Sequence, residues 1–148
     1  MSEIAEAQKI TETILGKLGF EVEVTPDPED DKVLDINSPD NRLLIGKNGD
    51  RLDDLQYLVN RILRKSHPDA ERIRLDCEGY RLKKEEQVQN KARNLADKVR
   101  ESGQELWMRP MNSYERRLVH NALVDDPEIE SISEDTHKRM KKILLRLK

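Results

Sequence analysis

The chain is poor in cysteine and in aromatic residues: one Cys, one Trp, one Phe and three Tyr occur among 148 residues. The lone Cys77 excludes an internal disulfide and a multi-cysteine zinc site. His67, His120 and His137 stand too far apart for a helical metal motif, so neither metal nor cofactor is expected. Five aromatic rings also exclude a ligand surface built on rows of stacked side chains. No stretch reaches the roughly 18 apolar residues of a membrane span. The opening Met1-Ser2-Glu3-Ile4-Ala5-Glu6 lacks the basic and apolar regions of a signal peptide. No membrane insertion and a cytoplasmic location are therefore expected.

Charge is abundant by contrast. The sequence holds 27 Lys and Arg against 30 Asp and Glu, a formal net charge of −3, and 39% of it is charged. Leu, Ile, Val and Phe together number 37 of 148 residues, enough for a core but a thin one. The charge is unevenly divided. Residues 1–80 carry 11 basic and 18 acidic side chains, and residues 81–148 carry 16 and 12, so the halves stand at −7 and +4. This asymmetry points to two modules and to a polyanion as the partner of at least the second.

Hydrophobic periodicity orders the elements. Ile4, Ala7, Ile10, Ile14 and Leu18 describe an amphipathic helix that stops at Gly16 to Gly19. Phe20, Val22 and Val24 alternate with Glu21 and Glu23 as a strand, and Val33, Leu34 and Ile36 form its antiparallel partner. A short segment from Asp40 to Ile45, the loop Gly46 to Gly49 and a helix carrying Leu52, Leu55, Val59 and Leu63 follow. His67-Pro68 ends that helix, and Ile73, Leu75 and Cys77 alternate as a third strand in which Cys77 is a core residue. In the second half, Val88, Ala92, Leu95 and Val99 stripe a helix that ends at Gly103, and Leu106 to Met108 form a short strand. Asn112 followed by Glu115 begins a helix with a capping box. Ile129 and Ile132, then Ile143, Leu145 and Leu147, supply two final strands. Trp107 reads as core.

Two segments carry chemistry. In Ile45-Gly46-Lys47-Asn48-Gly49-Asp50-Arg51, the glycines allow a phosphate chain to approach the backbone and reach positive φ, and the next helix adds its N-terminal N–H groups. Lys47 supplies a cation and Asn48 a donor. A plain turn between helices has the same composition, but the order of elements around this loop resembles the bacterial type II KH domain. In that family the loop clamps about four nucleotides of a single strand, which the resemblance places on Ile45, Gly46, Lys47, Asn48, Gly49 and Arg51.

The second segment is Arg109-Pro110-Met111-Asn112-Ser113-Tyr114-Glu115-Arg116-Arg117-Leu118-Val119-His120-Asn121. At helical spacing Arg116 and His120 are neighbours one turn apart, a guanidinium beside an imidazole, while Tyr114, Leu118, Val119, Ala122 and Leu123 fall on the other, apolar half. The string resembles the R-three-H domain, and the resemblance implies ligand contacts from Arg109, Arg116, Arg117, His120 and Asn121. A KH domain followed directly by this module is the arrangement of the Jag family, also called SpoIIIJ-associated or KhpB. Many members carry a further N-terminal domain and linker.

The expected architecture is therefore α+β, with two small α/β-sandwich-like modules: α-β-β-α-α-β over residues 1–79 and α-β-α-β-β over residues 80–148. The resemblance implies a non-catalytic protein that binds single-stranded RNA, or single-stranded DNA, in post-transcriptional regulation tied to bacterial cell division, envelope growth or sporulation. A second small KH protein, or self-association, is the implied protein partner. Two rival readings are a protein-interaction adaptor that uses the first fold for dimerisation and a metal-dependent nuclease using Asp30-Asp31, Asp53-Asp54 or Asp125-Asp126. Adjacent carboxylates on a turn or helix point apart, which counts against the nuclease. The run His137, Lys138, Arg139, Lys141 and Lys142 either extends a nucleic-acid surface or is a solvated turn.

Overall fold

A computed structural model describes residues 2–148 as two α+β units, residues 2–81 and 82–148 by their packing. In the first, helix α1 (Glu3–Lys17) leads to strands β1 (Glu23–Pro26) and β2 (Val33–Asn37). A short helix α2 (Asn41–Ile45), a tight turn over Lys47–Gly49, helix α3 (Asp50–Ser66) and strand β3 (Arg74–Asp76) follow. Ser2 caps α1 by accepting from the Ala5 N–H. The sheet order is β1-β2-β3, with β1 antiparallel and β3 parallel to the central β2. Leu34, Ile36, Leu52, Val59, Leu63 and Leu75 are fully buried between this sheet and helices α1 and α3.

The strands are shorter than their alternation implies. Phe20 and Val22 precede β1 as half-buried residues packed on the core, and Ile73 and Cys77 flank β3 while staying buried. The cause at β3 is visible in its hydrogen bonds. Asn60 and Gln56 of α3 are polar yet buried at 6% and 4% exposure. Asn60 accepts from the Ile73 N–H and donates to the Ile73 carbonyl, both at 2.8 Å. Gln56 accepts from the Leu75 N–H at 3.0 Å, and Arg81 Nε donates to the Leu75 carbonyl at 2.8 Å. Side chains thus replace a fourth strand and saturate an edge that would otherwise expose unpaired backbone.

Cys77 is buried as expected, and its thiol donates to Asn41 Oδ1 at 3.1 Å. Burial, with Glu78, Asp35 and Asp76 nearby, pushes its pKa up to about 11.

The second unit comprises α4 (Tyr80–Ser102, its first two residues lying in the first unit), β4 (Leu106–Trp107), α5 (Ser113–Leu123), β5 (Ile129–Ser133) and β6 (Ile143–Leu147). Its sheet order is β4-β6-β5, antiparallel throughout. Val88, Ala92, Ala96 and Val99 of α4 pack with Val119 and Leu123 of α5 and with Ile129, Ile143 and Leu145 of the sheet. Arg100 binds Asp126 at 3.0 Å, and Asp126 in turn accepts from the Glu128 and Ile129 N–H groups, closing the turn between α5 and β5. Trp107 departs from its expected place in the core. It pairs with Leu144 on the sheet face opposite Leu145 and is 54% exposed. Among the described residues no helix is long and apolar enough to cross a membrane.

The amide bracket gives a direct prediction. Replacing Asn60 with Leu keeps the volume but leaves the Ile73 N–H and carbonyl buried without partners, at about 1–3 kcal/mol for each orphaned group. Urea denaturation followed by circular dichroism should show a loss of roughly 2–4 kcal/mol, whereas Tyr57→Ala, at an exposed position of the same helix, should change little.

Candidate functional site

The turn between α2 and α3 is built from conformations that few side chains tolerate. Gly46 adopts φ 73°, ψ −172°, Asn48 φ 55°, ψ 24° and Gly49 φ 81°, ψ 11°. A Cβ on Gly46 would lie 2.7 Å from Arg51 Cγ and 3.1 Å from the Arg51 N, and one on Gly49 would lie 3.0 Å from the Tyr80 ring. Both glycines are therefore required by sterics as well as by φ. Asn is the residue type that best accepts the left-handed conformation without being glycine. The turn delivers the chain into α3, whose N-terminus has no side-chain cap. The positive end of a 17-residue helix thus meets an exposed Lys47 and Asn48.

The remaining loop candidates have supporting positions. Ile45 is half-buried against the core. Arg51 lies under Gly46 and donates to the Leu43 carbonyl at 2.9 Å, bracing α2 against α3. The structure brings Gly46, Lys47, Asn48, Gly49 and Arg51 into one corner, with Lys47 and Asn48 at its tip.

In the second unit, α5 buries Val119 and Leu123 on the half that periodicity implies, with a small rotation that brings Glu115 in and Tyr114 out. Glu115, Val119 and Leu123 are the buried stripe, and Tyr114 is 50% exposed. Two polar contacts account for the rotation. Glu115 turns inward because Arg109 donates to its carboxylate at 2.8 Å, and the Tyr114 hydroxyl donates to Glu85 of α4. The capping box is half realised: Asn112 Oδ1 accepts from the Glu115 N–H at 2.9 Å, while the Glu115 carboxylate is engaged by Arg109.

Arg116 and His120 are neighbours, but both are engaged. The Arg116 guanidinium donates to the Met111 carbonyl at 2.5 Å and to that of Arg139 at 3.3 Å. His120 is bracketed by the hydroxyls of Ser131 and Ser133, at 2.6 Å from Nδ1 and 2.9 Å from Nε2. Burial and the Arg116 guanidinium hold the His120 pKa below its ordinary value, so the ring is neutral near pH 7. The pair fastens α5 to β5 and to the segment before β6. Arg117 and Asn121, one turn apart, are the exposed members of the candidate set, and Arg109 is half exposed. Sequence reasoning missed the two serines; their alternation with Glu130 and Ile132 was the available signal. Among the described residues no group of three or more His, Cys, Asp or Glu converges as a metal site.

Residues 86–144, which hold Arg116 and His120, match the family model of the R-three-H domain. The chain is also similar to curated proteins named RNA-binding protein KhpB. That of Clostridium symbiosum is 34% identical over 97% of this chain and 65% of its own length. That of Bacillus subtilis is 33% identical over 78% of this chain and 54% of its own length, and that of Lactiplantibacillus plantarum is 28% identical over 71% and 33%. The chain thus spans less than two thirds of the length of each of these relatives.

These geometries can be tested at two positions. Gly46→Ala places a Cβ in a region of backbone space that is essentially glycine's alone, at a cost of about 1–3 kcal/mol, measurable by denaturant unfolding. His120 makes the second unit sensitive to acid. A neutral imidazole with a lowered folded pKa contributes stability that is complete above about pH 6.5, the value of a free histidine. That contribution is lost as the pH falls through the folded value. Unfolding followed by the fluorescence of the single Trp107 should therefore show the second unit weakening below about pH 6.5, and His120→Asn should flatten that part of the profile.

Proposed function

We propose that this chain is a member of the Jag family, with a type II KH domain over residues 1–79 and an R-three-H domain over residues 80–148, and that it binds single-stranded RNA without a catalytic step. The observation that carries the reading is the Gly46–Gly49 corner, where positive-φ backbone, an exposed Lys47 and an uncapped helix N-terminus converge. Such a corner suits the phosphates of an extended strand, because amide N–H groups and a helix dipole favour anions there. The RNA-binding names of the relatives and the R-three-H match support the same ligand.

In the second module, Arg117 and Asn121 are the residues proposed to meet the strand directly, with Arg109 beside them. Arg116 and His120 are proposed to set the shape of that surface. Two weak sites on one chain raise affinity through effective concentration, which accounts for a chain that is neither strongly basic nor aromatic. The biological setting proposed is cytoplasmic post-transcriptional regulation connected with cell division, envelope growth or sporulation, with a second small KH protein or a second copy as partner.

Changing Lys47 to Asp replaces a cation with a carboxylate where a phosphate would lie, at an exposed position that bears little on folding. RNA affinity should fall by roughly tenfold or more while the thermal midpoint stays in place. Unchanged affinity would remove the first module from the mechanism and favour the adaptor reading. Arg117→Ala should make the slope of log affinity against log salt shallower by about 0.7, the loss of one phosphate contact on a single strand. Arg116→Ala, by contrast, should also lower the stability of the second unit.

A further inference from the structure

The second unit contains a groove of about 240 Å³ between α4 and the segment that joins β4 to α5. Its floor is apolar: Val88 and Leu95 on one side, Met108 and Met111 on the other, with three of the four buried. Its rim is cationic, formed by Lys84, Lys91 and Arg109, with the amide of Gln87 between the first two. Arg109 is held in place by its ion pair with Glu115.

We propose that this groove is a nucleotide subsite, which takes one base of the bound strand on its methionine floor and the adjoining phosphate on its lysine rim. The inference rests on the RNA-binding reading above and adds a position to it. Three observations favour this occupant. The volume lies below the roughly 300–1,000 Å³ of sites for drug-sized ligands, so the groove suits one flat group and is too small for a helix or a peptide segment. An apolar floor under a cationic rim matches the two ends of a nucleotide, an uncharged ring and an anionic phosphate. The groove also adjoins the second candidate surface, because Arg109 belongs to both. Methionine is suited to such a floor: its unbranched, polarisable side chain adapts to any base face. A protein without stacked aromatic rings can then still hold a base.

The test uses the full chain labelled with ¹³C at the methionine methyls, of which the sequence has four. Uridine monophosphate, adenosine monophosphate, inorganic phosphate and an acidic peptide are titrated separately, and a mixed-sequence single-stranded RNA is bound in parallel. The two mononucleotides and the RNA should shift the Met108 and Met111 methyls by ring current, and inorganic phosphate alone should not. Lys91→Glu, at an exposed position, should weaken RNA binding by roughly tenfold with the thermal midpoint unchanged. If RNA binds while both methyls stay in place and Lys91→Glu has no effect, the subsite is wrong and the RNA-binding reading stands. Shifts with the acidic peptide alone would reassign the groove to a protein partner. Failure of the chain to bind RNA at all would overturn both.

Discussion

The first unit depends on the two buried amides of α3. Gln56 and Asn60 sit where a helix facing a sheet would carry aliphatic residues, and their hydrogen bonds go to the backbone of β3 and its flank. An apolar residue at either position would bury as well, but it would leave β3 with open N–H and carbonyl groups in a dry environment. With the amides in place, α3 can occupy only one register along the sheet. That register sets where its first residue, Asp50, begins, and hence where the Gly46–Gly49 corner projects. A candidate binding loop at the surface is thus positioned by polar contacts well inside the domain.

The second unit uses the same device at its own site. Arg116 and His120 direct their polar atoms to the Met111 and Arg139 carbonyls and to two serine hydroxyls. An Arg-x-x-x-His spacing selects side chains that reach the same place, but it does not say whether they reach outward or across. Here they reach across. The neutral state of His120 belongs with this, since an imidazolium beside Arg116 and partly out of water would be penalised twice. The exposed chemistry passes to Arg117, Asn121 and Arg109, which stay at the surface.

Apolar spacing made the periodic features legible in the sequence. Helix α1, the β1–β2 hairpin, α3 and the strand pattern of the second half follow from it, and the positive-φ glycines follow from the turn they must make. The parts that escape such reading depend on side chains whose partners lie far along the chain. Asn60 meets Ile73, and Gln56 meets Leu75 and Arg81, with no local signature in either case. Trp107 is out of place in a reading by hydrophobicity, which cannot choose between the two faces of a two-residue strand. The rotation of α5 is hidden because Glu115 counts as polar by composition, although a single arginine suffices to bury it. Arg116 and His120 were readable as neighbours, but the carbonyls and serine hydroxyls they reach were not.

The buried thiol of Cys77 has a consequence of another kind. With a pKa near 11, only about one molecule in ten thousand carries a thiolate at neutral pH, and that sulfur is shielded from solvent. The thiolate is the form that attacks peroxide, oxidised glutathione and alkylating reagents, so the folded chain is nearly blind to the redox state of its surroundings. Modification awaits an opening of the first unit that parts the Cys77 thiol from Asn41 and brings it to solvent. The rate at which a thiol reagent captures Cys77 therefore counts those openings, which makes the one cysteine of the chain a built-in clock for its own local unfolding.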